Sequence, residues 1–285
     1  MPELPEVETI KLSLEKKIIG LKISKIQINS HKSFIGNPNL VRGRKILNIW
    51  RRAKILGMDL SGDMTLLFHL KMTGQLIYED DQRIIGGHPT PDMTGKMPNS
   101  HTRVIFSFSD GSHLYFNDQR RFGWIRVVNS GKVREDSSLK NLGPEPLEKE
   151  FTWVVLKQNL LRRKSIPIKV AIMDQKVVAG VGNIYASEAC FNAKIDPRAK
   201  VGEMGEKEFK AIYQGMIRAI NDGIKYGGST RAHFVDPEGH KGYFLDYAFV
   251  YGRNKHPCKI CKTEIKKITL AGRGTYFCPN CQTIW

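Results

Sequence analysis

The chain has 285 residues, 41% hydrophobic and 26% charged, a composition typical of a globular protein large enough for two domains. Lys and Arg outnumber Asp and Glu by 45 to 28, and the formal net charge of +17 indicates a polyanionic partner such as nucleic acid. No run approaches the roughly 18–20 apolar residues of a membrane span, and the first residues are acidic where a signal peptide is basic. We therefore expect a soluble intracellular protein, with DNA, RNA and anionic membrane surfaces left open as partners.

The first half of the chain predicts one helix followed by short strands. Apolar residues recur at spacings of three and four over residues 4–19, which predicts an amphipathic helix. The β-forming stretches that follow have no helices between them, an order that favours a sandwich or barrel over a Rossmann sheet. Residues 79–100, with several Gly and Pro, predict a long loop. The predicted strand regions are 23–28, 45–60, 65–78, 103–108, 113–117 and 124–128.

The second half is helical and ends in a cysteine cluster. The segment Gly143-Pro144-Glu145-Pro146 interrupts the pattern and predicts a linker over 136–150. Helices are predicted over 151–161, 182–192 and 206–226. These features predict an amino-terminal domain over 1–135, a helical domain over 151–248 and a cysteine-containing module over 249–285.

Four of the five cysteines form two CxxC pairs separated by sixteen residues near the carboxyl end. Two such knuckles on a β-hairpin complete a closed tetrahedral zinc site, in a reducing compartment. A site with four thiolate ligands has no open position for a catalytic water, so we expect a structural role for the metal. Cys190 lies apart in an apolar helix and fits a core position. The predicted zinc ligands are Cys258, Cys261, Cys278 and Cys281.

The start of the chain places a proline beside a carboxylate. Once Met1 is removed, Pro2 carries a free secondary amine, and an α-amino group has a reference pKa of about 7.7–8.0. Attack of that amine on an aldehyde-like carbon gives an iminium directly, which makes Pro2 a candidate nucleophile. The same residues also fit an ordinary helix start, in which Pro2 only permits methionine removal and Pro5 begins the helix.

Four segments carry a resemblance to a known family: PELPEVET from residue 2, FNDQRRFG from residue 116, GVGNIYASE from residue 180, and the CxxC pairs. Together, and in this order, they closely resemble the bacterial formamidopyrimidine-DNA glycosylase family, the 8-oxoguanine DNA glycosylases with AP-lyase activity. The resemblance spans essentially the whole chain. It implies an α+β multidomain fold with an amino-terminal β-sandwich flanked by helices, a helix–two-turns–helix domain and a carboxyl-terminal zinc-finger β-hairpin, with DNA bound in the cleft between domains.

The resemblance also implies roles for individual residues. Pro2 corresponds to the residue that attacks C1′ of the damaged nucleoside, and Glu3 to the acid that assists opening of the sugar ring, with Glu6 as a supporting carboxylate. Lys54 matches the lysine assigned to proton transfer in β-elimination, and Arg273 the zinc-finger arginine associated with δ-elimination. Without the resemblance, Lys54 fits a solvated strand lysine and Arg273 one phosphate contact among several.

A base inside a duplex must be everted before its sugar can be attacked, and the gap must then be filled. The resemblance assigns this wedge role to Met72, Arg120 and Phe122, although Met72 and Phe122 also fit a sandwich core. A phosphate can bind where the segment Gly180-Val181-Gly182-Asn183 leads into a helix, through backbone N–H groups. The expected DNA contacts are Met72, His101, Arg120, Phe122, Lys164, Asn183 and Arg253, with Lys169 near the lesion.

The sequence departs from the family pattern at three places. Lys71 and Thr73 flank Met72 where the family usually has Gly and Ser, the Ala232-His233 pair differs in the lesion-capping loop, and the 79–100 loop is longer. These departures bear on the lesion range rather than on the chemistry.

The sequence and the resemblance together predict a monomeric base-excision repair enzyme with one structural Zn²⁺. It would act on double-stranded DNA containing oxidised purines or abasic sites, in the bacterial cytoplasm and on the nucleoid. Two alternatives stay open. One is an endonuclease VIII-like enzyme for oxidised pyrimidines, although Leu4 stands where that branch more often has Gly. The other is a non-catalytic zinc-ribbon DNA-binding protein.

Overall fold

The computed structural model describes residues 1–87, 95–229 and 243–284. The chain divides into two compact units, Met1–Lys140 with Tyr226–Tyr243 and Asn141–Lys225 with Phe244–Trp285. The division near residue 140 falls inside the predicted linker, and the domain boundaries given above remain predictions. None of the helices in the described part of the chain combines the length and the apolar composition of a membrane span.

The first unit is a sandwich of two five-stranded sheets. Its strands are β1 (Ile23–Ile28), β2 (Phe34–Ile35), β3 (Ile46–Arg52), β4 (Ile55–Leu60), β5 (Met64–His69), β6 (Gly74–Glu79), β7 (Arg83–Gly87), β8 (Thr102–Phe108), β9 (His113–Asp118) and β10 (Trp124–Asn129). One sheet has the order β1-β8-β9-β6-β7 and the other β2-β10-β5-β4-β3. All neighbouring strands are antiparallel except β2 and β10. The predicted α+β class with a β-sandwich is confirmed.

Helix α1 (Leu4–Ile18) follows the prediction and packs on the sandwich. Its apolar stripe, predicted from the three-and-four spacing, is buried in the core that the two sheets share. Full burial of each such side chain stabilises the fold by about 1.5–3 kcal/mol. The stripe is Val7, Ile10, Leu14 and Ile18.

The prediction of one long loop over 79–100 is wrong, because β7 forms a hairpin with β6. The sequence analysis missed this strand because it ends in two glycines, which are uncommon in strands. A Cβ at Gly86 would lie 2.2 Å from the Ile10 side chain, so the helix packs directly on the strand backbone. Residues 88–94 of this predicted loop, and residues 230–234 of the predicted capping loop, lie outside the described residues.

The second unit consists of helices and a two-stranded hairpin. Its helices are α2 (Trp153–Leu160), α3 (Ile168–Ala171), α4 (Asn183–Asn192), α5 (Glu206–Lys225) and α6 (Phe244–Tyr247), and its strands are β11 (Lys266–Leu270) and β12 (Arg273–Phe277). Two glycines of α5 allow close packing on α4, since a Cβ at Gly215 would lie 2.5 Å from the Ala189 carbonyl oxygen. A Cβ at Gly223 would likewise lie 2.4 Å from the Tyr185 ring.

Candidate active site and metal centre

The Glu6 carboxylate binds the backbone at the amino terminus of the chain. Pro2 is buried, and Glu3, which is 2% exposed, precedes the first turn of α1. Glu6 Oε2 accepts the Glu3 N–H at 2.7 Å, and Glu6 Oε1 accepts the Ser229 N–H at 2.7 Å. A Cβ at Gly228 would lie 3.0 Å from the Glu6 side chain, so these two segments lie against each other. Glu6 therefore fixes the backbone beside Glu3, in keeping with the supporting role expected of it.

The direction of α1 is fixed by contacts near its two ends. Glu8, in its first half, pairs with Arg51 near the end of β3, with Glu8 Oε2 2.7 Å from Arg51 Nε. Lys17, near its last turn, pairs with Asp80 in the turn between β6 and β7. The start of α1 therefore lies at the end of the sandwich where β3 ends and β4 begins, and Pro2 lies at that end.

Lys54 lies in the tight turn between β3 and β4. Arg52 pairs with Ile55, so Ala53 and Lys54 form a two-residue hairpin turn, with a left-handed φ of 54° at Ala53. The Arg51 guanidinium donates to the Ala53 carbonyl at 3.2 Å and braces this turn. Lys54 is only 8% exposed. The alternative of a solvated lysine on a strand is therefore wrong.

The three residues expected to enter the duplex lie on two neighbouring connections. Met72 lies between β5 and β6, and Arg120 and Phe122 lie between β9 and β10. Both connections leave the sandwich at the end that carries Lys54, because β5 pairs with both β4 and β10. Phe122 is 55% exposed, and the Arg120 guanidinium lies 4.9 Å from its ring centre. The structure therefore excludes a core position for Phe122, while Met72 is half-buried.

His69 is a site residue that the sequence analysis missed. Its Nδ1 accepts the Lys71 N–H at 3.0 Å, which supports the turn that carries Met72. Burial, together with the smaller effects of the Lys71 and Lys54 charges, lowers the pKa of His69 to about 3. The imidazole is therefore neutral at physiological pH and can act as this acceptor. A histidine just before a turn gives no sequence signal that separates it from a core residue.

His101 precedes β8 at the same end of the sandwich. Its N–H donates to Asn99 Oδ1 at 2.9 Å, and its carbonyl accepts the Asp118 N–H at 3.0 Å. These backbone contacts place the histidine beside the β9–β10 connection. Contact of its side chain with DNA stays a prediction.

Within the second unit, a buried lysine orients Asn183 at the start of α4. Lys169 is 0% exposed, and its ammonium donates to Asn183 Oδ1. Asn183 Nδ2 donates to the Gly274 carbonyl at 3.0 Å, which brings the start of α4 beside Arg273. This arrangement fixes the orientation of the Asn183 amide at the helix start, a position where an anion can bind.

Arg273 lies at the tip of the β11–β12 hairpin. Leu270 pairs with Arg273 across a two-residue turn in which Ala271 and Gly272 have φ of 47° and 72°. Positive φ at both positions is the signature of the type I′ turn that suits a tight hairpin. The tip holds Arg273 exposed, with its backbone position set by the turn.

Two further expected DNA contacts differ in their surroundings. The Arg253 guanidinium donates to the Phe249 carbonyl at 3.1 Å and to the Pro257 carbonyl at 2.8 Å, so it holds together the loop before the first cysteine knuckle. Lys164 is exposed after α2, and its carbonyl accepts the Gly202 N–H at 2.8 Å. Phosphate contact by Arg253 and Lys164 stays a prediction.

The four carboxyl-terminal cysteines form one compact cluster whose Sγ atoms lie within 4.8 Å of one another. The Sγ separations are 3.9 Å between Cys258 and Cys281 and 3.4 Å between Cys261 and Cys278. A tetrahedral Zn²⁺ with Zn–S bonds of about 2.3 Å requires S–S separations of about 3.8 Å, which these residues fit. The Ile260 N–H also donates to Cys258 Sγ at 3.4 Å, as expected for a metal-binding knuckle.

Two side chains attach this metal module to the helices of its unit. The Gln282 amide accepts the Cys278 N–H at 2.8 Å and donates to the Ile195 carbonyl at 2.9 Å. The Glu188 carboxylate of α4 accepts three consecutive N–H groups, those of residues 249–251, at 2.8–2.9 Å. Burial raises the pKa of Glu188, and these three donors oppose that shift.

Three family models match the chain in succession. The formamidopyrimidine-DNA glycosylase N-terminal domain matches residues 1–125, the H2TH domain of the same enzyme matches 142–235, and the zinc finger found in FPG and IleRS matches 255–284. The chain belongs to the formamidopyrimidine-DNA glycosylase family. The predicted helix–two-turns–helix region and the predicted zinc finger, suited to one Zn²⁺, are thereby confirmed.

Relatives of this formamidopyrimidine-DNA glycosylase family member match it over nearly its whole length. The formamidopyrimidine-DNA glycosylase of Listeria monocytogenes serotype 4b is 37% identical over 99% of this chain and 100% of its own. The MutM (Fpg) protein of Thermus thermophilus is 35% identical, with a TM-score of 0.84 over 99% of this chain and 98% of that one. Lactococcus lactis Fpg bound to DNA with an abasic site is 31% identical, with a TM-score of 0.85 over 98% of this chain and 99% of that one. Other solved relatives hold DNA that contains Fapy-dG, carbocyclic 8-oxo-G or an oxidised pyrimidine.

The glycosylase-family residues predicted from the sequence fall into two groups, each described within its own unit. One end of the sandwich brings together Pro2, Glu3, Lys54, His101 and the three wedge residues. The helical unit brings Asn183 beside the hairpin that carries Arg273 and places the four cysteines in one cluster. Their catalytic and DNA-binding roles stay predictions.

The Glu8–Arg51 ion pair should make the unfolding free energy of this glycosylase-family member depend measurably on pH. Burial raises the pKa of Glu8, but the hydrogen bond and charge of Arg51, with Lys11, outweigh it, so the pKa lies below its ordinary value of 4.5. We expect wild type to exceed Glu8→Gln in unfolding free energy by about 1–2 kcal/mol at pH 7. That difference should persist above pH 4.5 and vanish as pH falls through the lower folded pKa, because the unfolded chain binds the proton first.

Urea unfolding of both proteins between pH 3 and pH 7 measures this difference. Glu15→Gln, which removes the more exposed Lys11–Glu15 contact on the same helix, is the matched control and should cost less. A difference between wild type and Glu8→Gln that stays constant over the whole range would contradict the pKa assignment.

Proposed function

We propose that this chain is a bifunctional DNA glycosylase of base-excision repair, which removes oxidised purines and then cleaves the strand at the abasic site. The observation that carries the proposal is the convergence of the amino-terminal Pro2-Glu3 pair, buried Lys54 and the exposed Phe122 at one end of the sandwich. Solved family members that hold Fapy-dG and carbocyclic 8-oxo-G support oxidised purines as the substrate class.

The first step requires that Met1 be removed, since an amide nitrogen cannot form an iminium. The lone pair of the Pro2 amine then forms a bond to C1′, and the bond from C1′ to the damaged base breaks with its electrons on the base. The Pro2 nitrogen gives up its N–H proton in this step, and that proton neutralises the departing base. Glu3 supplies the proton that assists opening of the sugar ring at O4′ and so allows the C1′–N bond to become an iminium. The neutral fraction of an α-amino group at pH 7 suffices for this attack.

The iminium then serves as the electron sink for strand cleavage. Loss of a proton from C2′ expels the 3′ phosphate in β-elimination, and we assign Lys54 to this proton transfer. A second proton loss expels the 5′ phosphate in δ-elimination, to which we assign Arg273. Hydrolysis of the remaining Schiff base releases Pro2. The products are a one-nucleotide gap with phosphate at both ends and an unsaturated sugar fragment.

Damaged DNA must be opened before this chemistry can begin. We propose that Met72, Arg120 and Phe122 occupy the space that the everted nucleotide leaves, since an exposed aromatic ring backed by a guanidinium suits stacking between bases. His101, Lys164, Asn183 and Arg253 are the proposed phosphate contacts. Zn²⁺ held by the four cysteines would stabilise the hairpin that carries Arg273 and would take no part in the chemistry.

The two alternatives from the sequence are not favoured. A non-catalytic zinc ribbon gives no account of the glycosylase domain model over residues 1–125. An endonuclease VIII-like enzyme is not favoured, because full-length relatives at 37% identity are formamidopyrimidine-DNA glycosylases. Action on nucleoid DNA in the bacterial cytoplasm is part of the same proposal.

The test is cleavage of labelled duplexes by the purified full chain. We expect nicking of a duplex with 8-oxoguanine opposite cytosine, phosphate at both ends of the gap, and a covalent adduct after borohydride reduction. An undamaged duplex is the negative control, and a thymine glycol duplex should be cleaved more slowly. Absence of both adduct and nick on the 8-oxoguanine duplex would refute the proposal, and faster cleavage of thymine glycol would reverse the substrate assignment.

A further inference from the structure

The two connections that carry the wedge residues have the same construction. The β5–β6 connection and the β9–β10 connection each cross from one sheet to the other, and they lie side by side because Gly74 pairs with Asp118 and His69 with Trp124. Each also contains one residue with a left-handed φ, Lys71 at 51° and Arg121 at 56°.

A single buried carboxylate joins these two connections. Asp118 is 0% exposed, and its Oδ1 accepts the Thr73 hydroxyl and, at 3.2 Å, the Arg120 N–H. Its Oδ2 accepts the Gly123 N–H at 2.7 Å. The Thr73 hydroxyl oxygen in turn accepts the Arg120 N–H at 3.0 Å, so both the donor and the acceptor of Thr73 are used.

The surroundings of Asp118 hold this arrangement in one geometry. The Arg103 guanidinium donates to the Asp118 carbonyl at 2.7 Å and to the Ser100 carbonyl at 3.0 Å. A Cβ at Gly123 would lie 2.8 Å from the Phe116 ring and 3.1 Å from Asp118 Oδ2, so only glycine lets the N–H approach so closely. Buried, fully bonded groups of this kind specify a single arrangement.

We propose, on the basis of the function proposed above, that Asp118 and Thr73 are positioning residues that make Met72, Arg120 and Phe122 a single preformed wedge. Thr73 adjoins Met72, and the Arg120 N–H binds both Thr73 and Asp118, so neither connection can shift without breaking these bonds. An exposed phenylalanine has little packing to fix it, and ordering it at the moment of DNA entry would cost binding energy. A wedge fixed in advance avoids that cost.

The proposal distinguishes substrates that need a wedge from those that do not. Thr73→Val keeps the shape of the side chain and removes the hydroxyl that links the two connections. We expect excision of 8-oxoguanine from a duplex to fall about tenfold, the effect of roughly one lost hydrogen bond. Cleavage of single-stranded DNA with a preformed abasic site should stay unchanged, because no base stack has to be opened. Thr73→Ser, which restores the hydroxyl, should recover duplex activity.

Two further variants make the result specific. In a Met72→Ala background, Thr73→Val should have little additional effect on the duplex, because the wedge it would position is already lost. Thr152→Val removes a hydroxyl that caps α2 in the other unit and should leave the ratio of duplex to single-strand activity unchanged.

The proposal is overturned if Thr73→Val loses activity equally on both substrates, or if Thr73→Ser does not recover the loss on the duplex. Unchanged duplex activity in Thr73→Val would also overturn it. Failure of the wild-type chain to form a borohydride adduct with the single-stranded abasic DNA would instead count against the proposed function.

Discussion

The chain carrying Pro2→Gly is expected to lose borohydride-trapped adduct on both 8-oxoguanine duplexes and preformed abasic sites. Glycine keeps a terminal amine, but its iminium carries an N–H and can lose that proton to give a neutral imine, whereas the iminium of proline stays charged. Glycine also lacks the ring that fixes the backbone φ. Removal of a catalytic nucleophile makes a loss on the order of 10³-fold or more the expected result. The measurement is the rate of adduct formation under borohydride, with mass spectrometry to verify that Met1 has been removed.

A chain with two extra residues ahead of Pro2 is the matched control, because it leaves every native side chain in place and converts the amine into an amide. It should be as inactive as Pro2→Gly. Glu3→Gln gives a contrasting result: excision of 8-oxoguanine should fall by about 10²–10⁴-fold, the usual contribution of a general acid, while a preformed abasic site should still be trapped. Undiminished adduct from the extended chain would place the nucleophile elsewhere.

Replacement of Cys278 by serine is expected to remove zinc and duplex cleavage together. Structural zinc sites bind with apparent free energies of about 10–16 kcal/mol, which is comparable to or larger than the whole stability of a typical domain. Loss of one thiolate opens the tetrahedral site, and the hairpin that carries Arg273 then loses its support. Zinc per chain, measured by atomic absorption, should fall from one to near zero, and chelation of the wild-type protein should reproduce the loss of cleavage.

Cys190→Ala is the appropriate control, because Cys190 is buried in α4, outside the four-cysteine cluster. Burial raises the pKa of Cys190 to about 12, so this thiol does not compete as a thiolate ligand. The control should keep one zinc per chain and its cleavage activity. Full cleavage by zinc-free Cys278→Ser protein would show that the metal module is dispensable.

Local patterns predicted much of this fold because they depend on neighbouring residues. The stripe of α1 follows from a spacing of three and four, and the zinc site from two CxxC pairs. Strand β7 was missed because it ends in two glycines, which are uncommon in strands. The close packing of Ile10 against Gly86 explains why a glycine stands there, and that contact is not visible in the sequence.

The contacts that position the site were beyond sequence reasoning because their partners are distant in the chain. Glu8 and Arg51 are 43 residues apart, and Thr73 and Asp118 are 45 residues apart. Glu6 reaches Ser229 across 223 residues. Each of these residues would fit an exposed polar position if its partner were unknown, so sequence patterns reveal the chemical groups of the site but not the bonds that orient them.

The hydrogen bonds of Glu188 and Gln282 restrict the motion of the zinc finger relative to the helices of its unit. Both ends of the cysteine module form hydrogen bonds with the helical part of its unit, through Glu188 and Gln282. Motion of the finger as a whole therefore requires several of these bonds to break at once. Hydrogen exchange at the amides of residues 249–251 should accordingly be slow. The finger should also tumble in solution together with the helices of its unit, without independent motion.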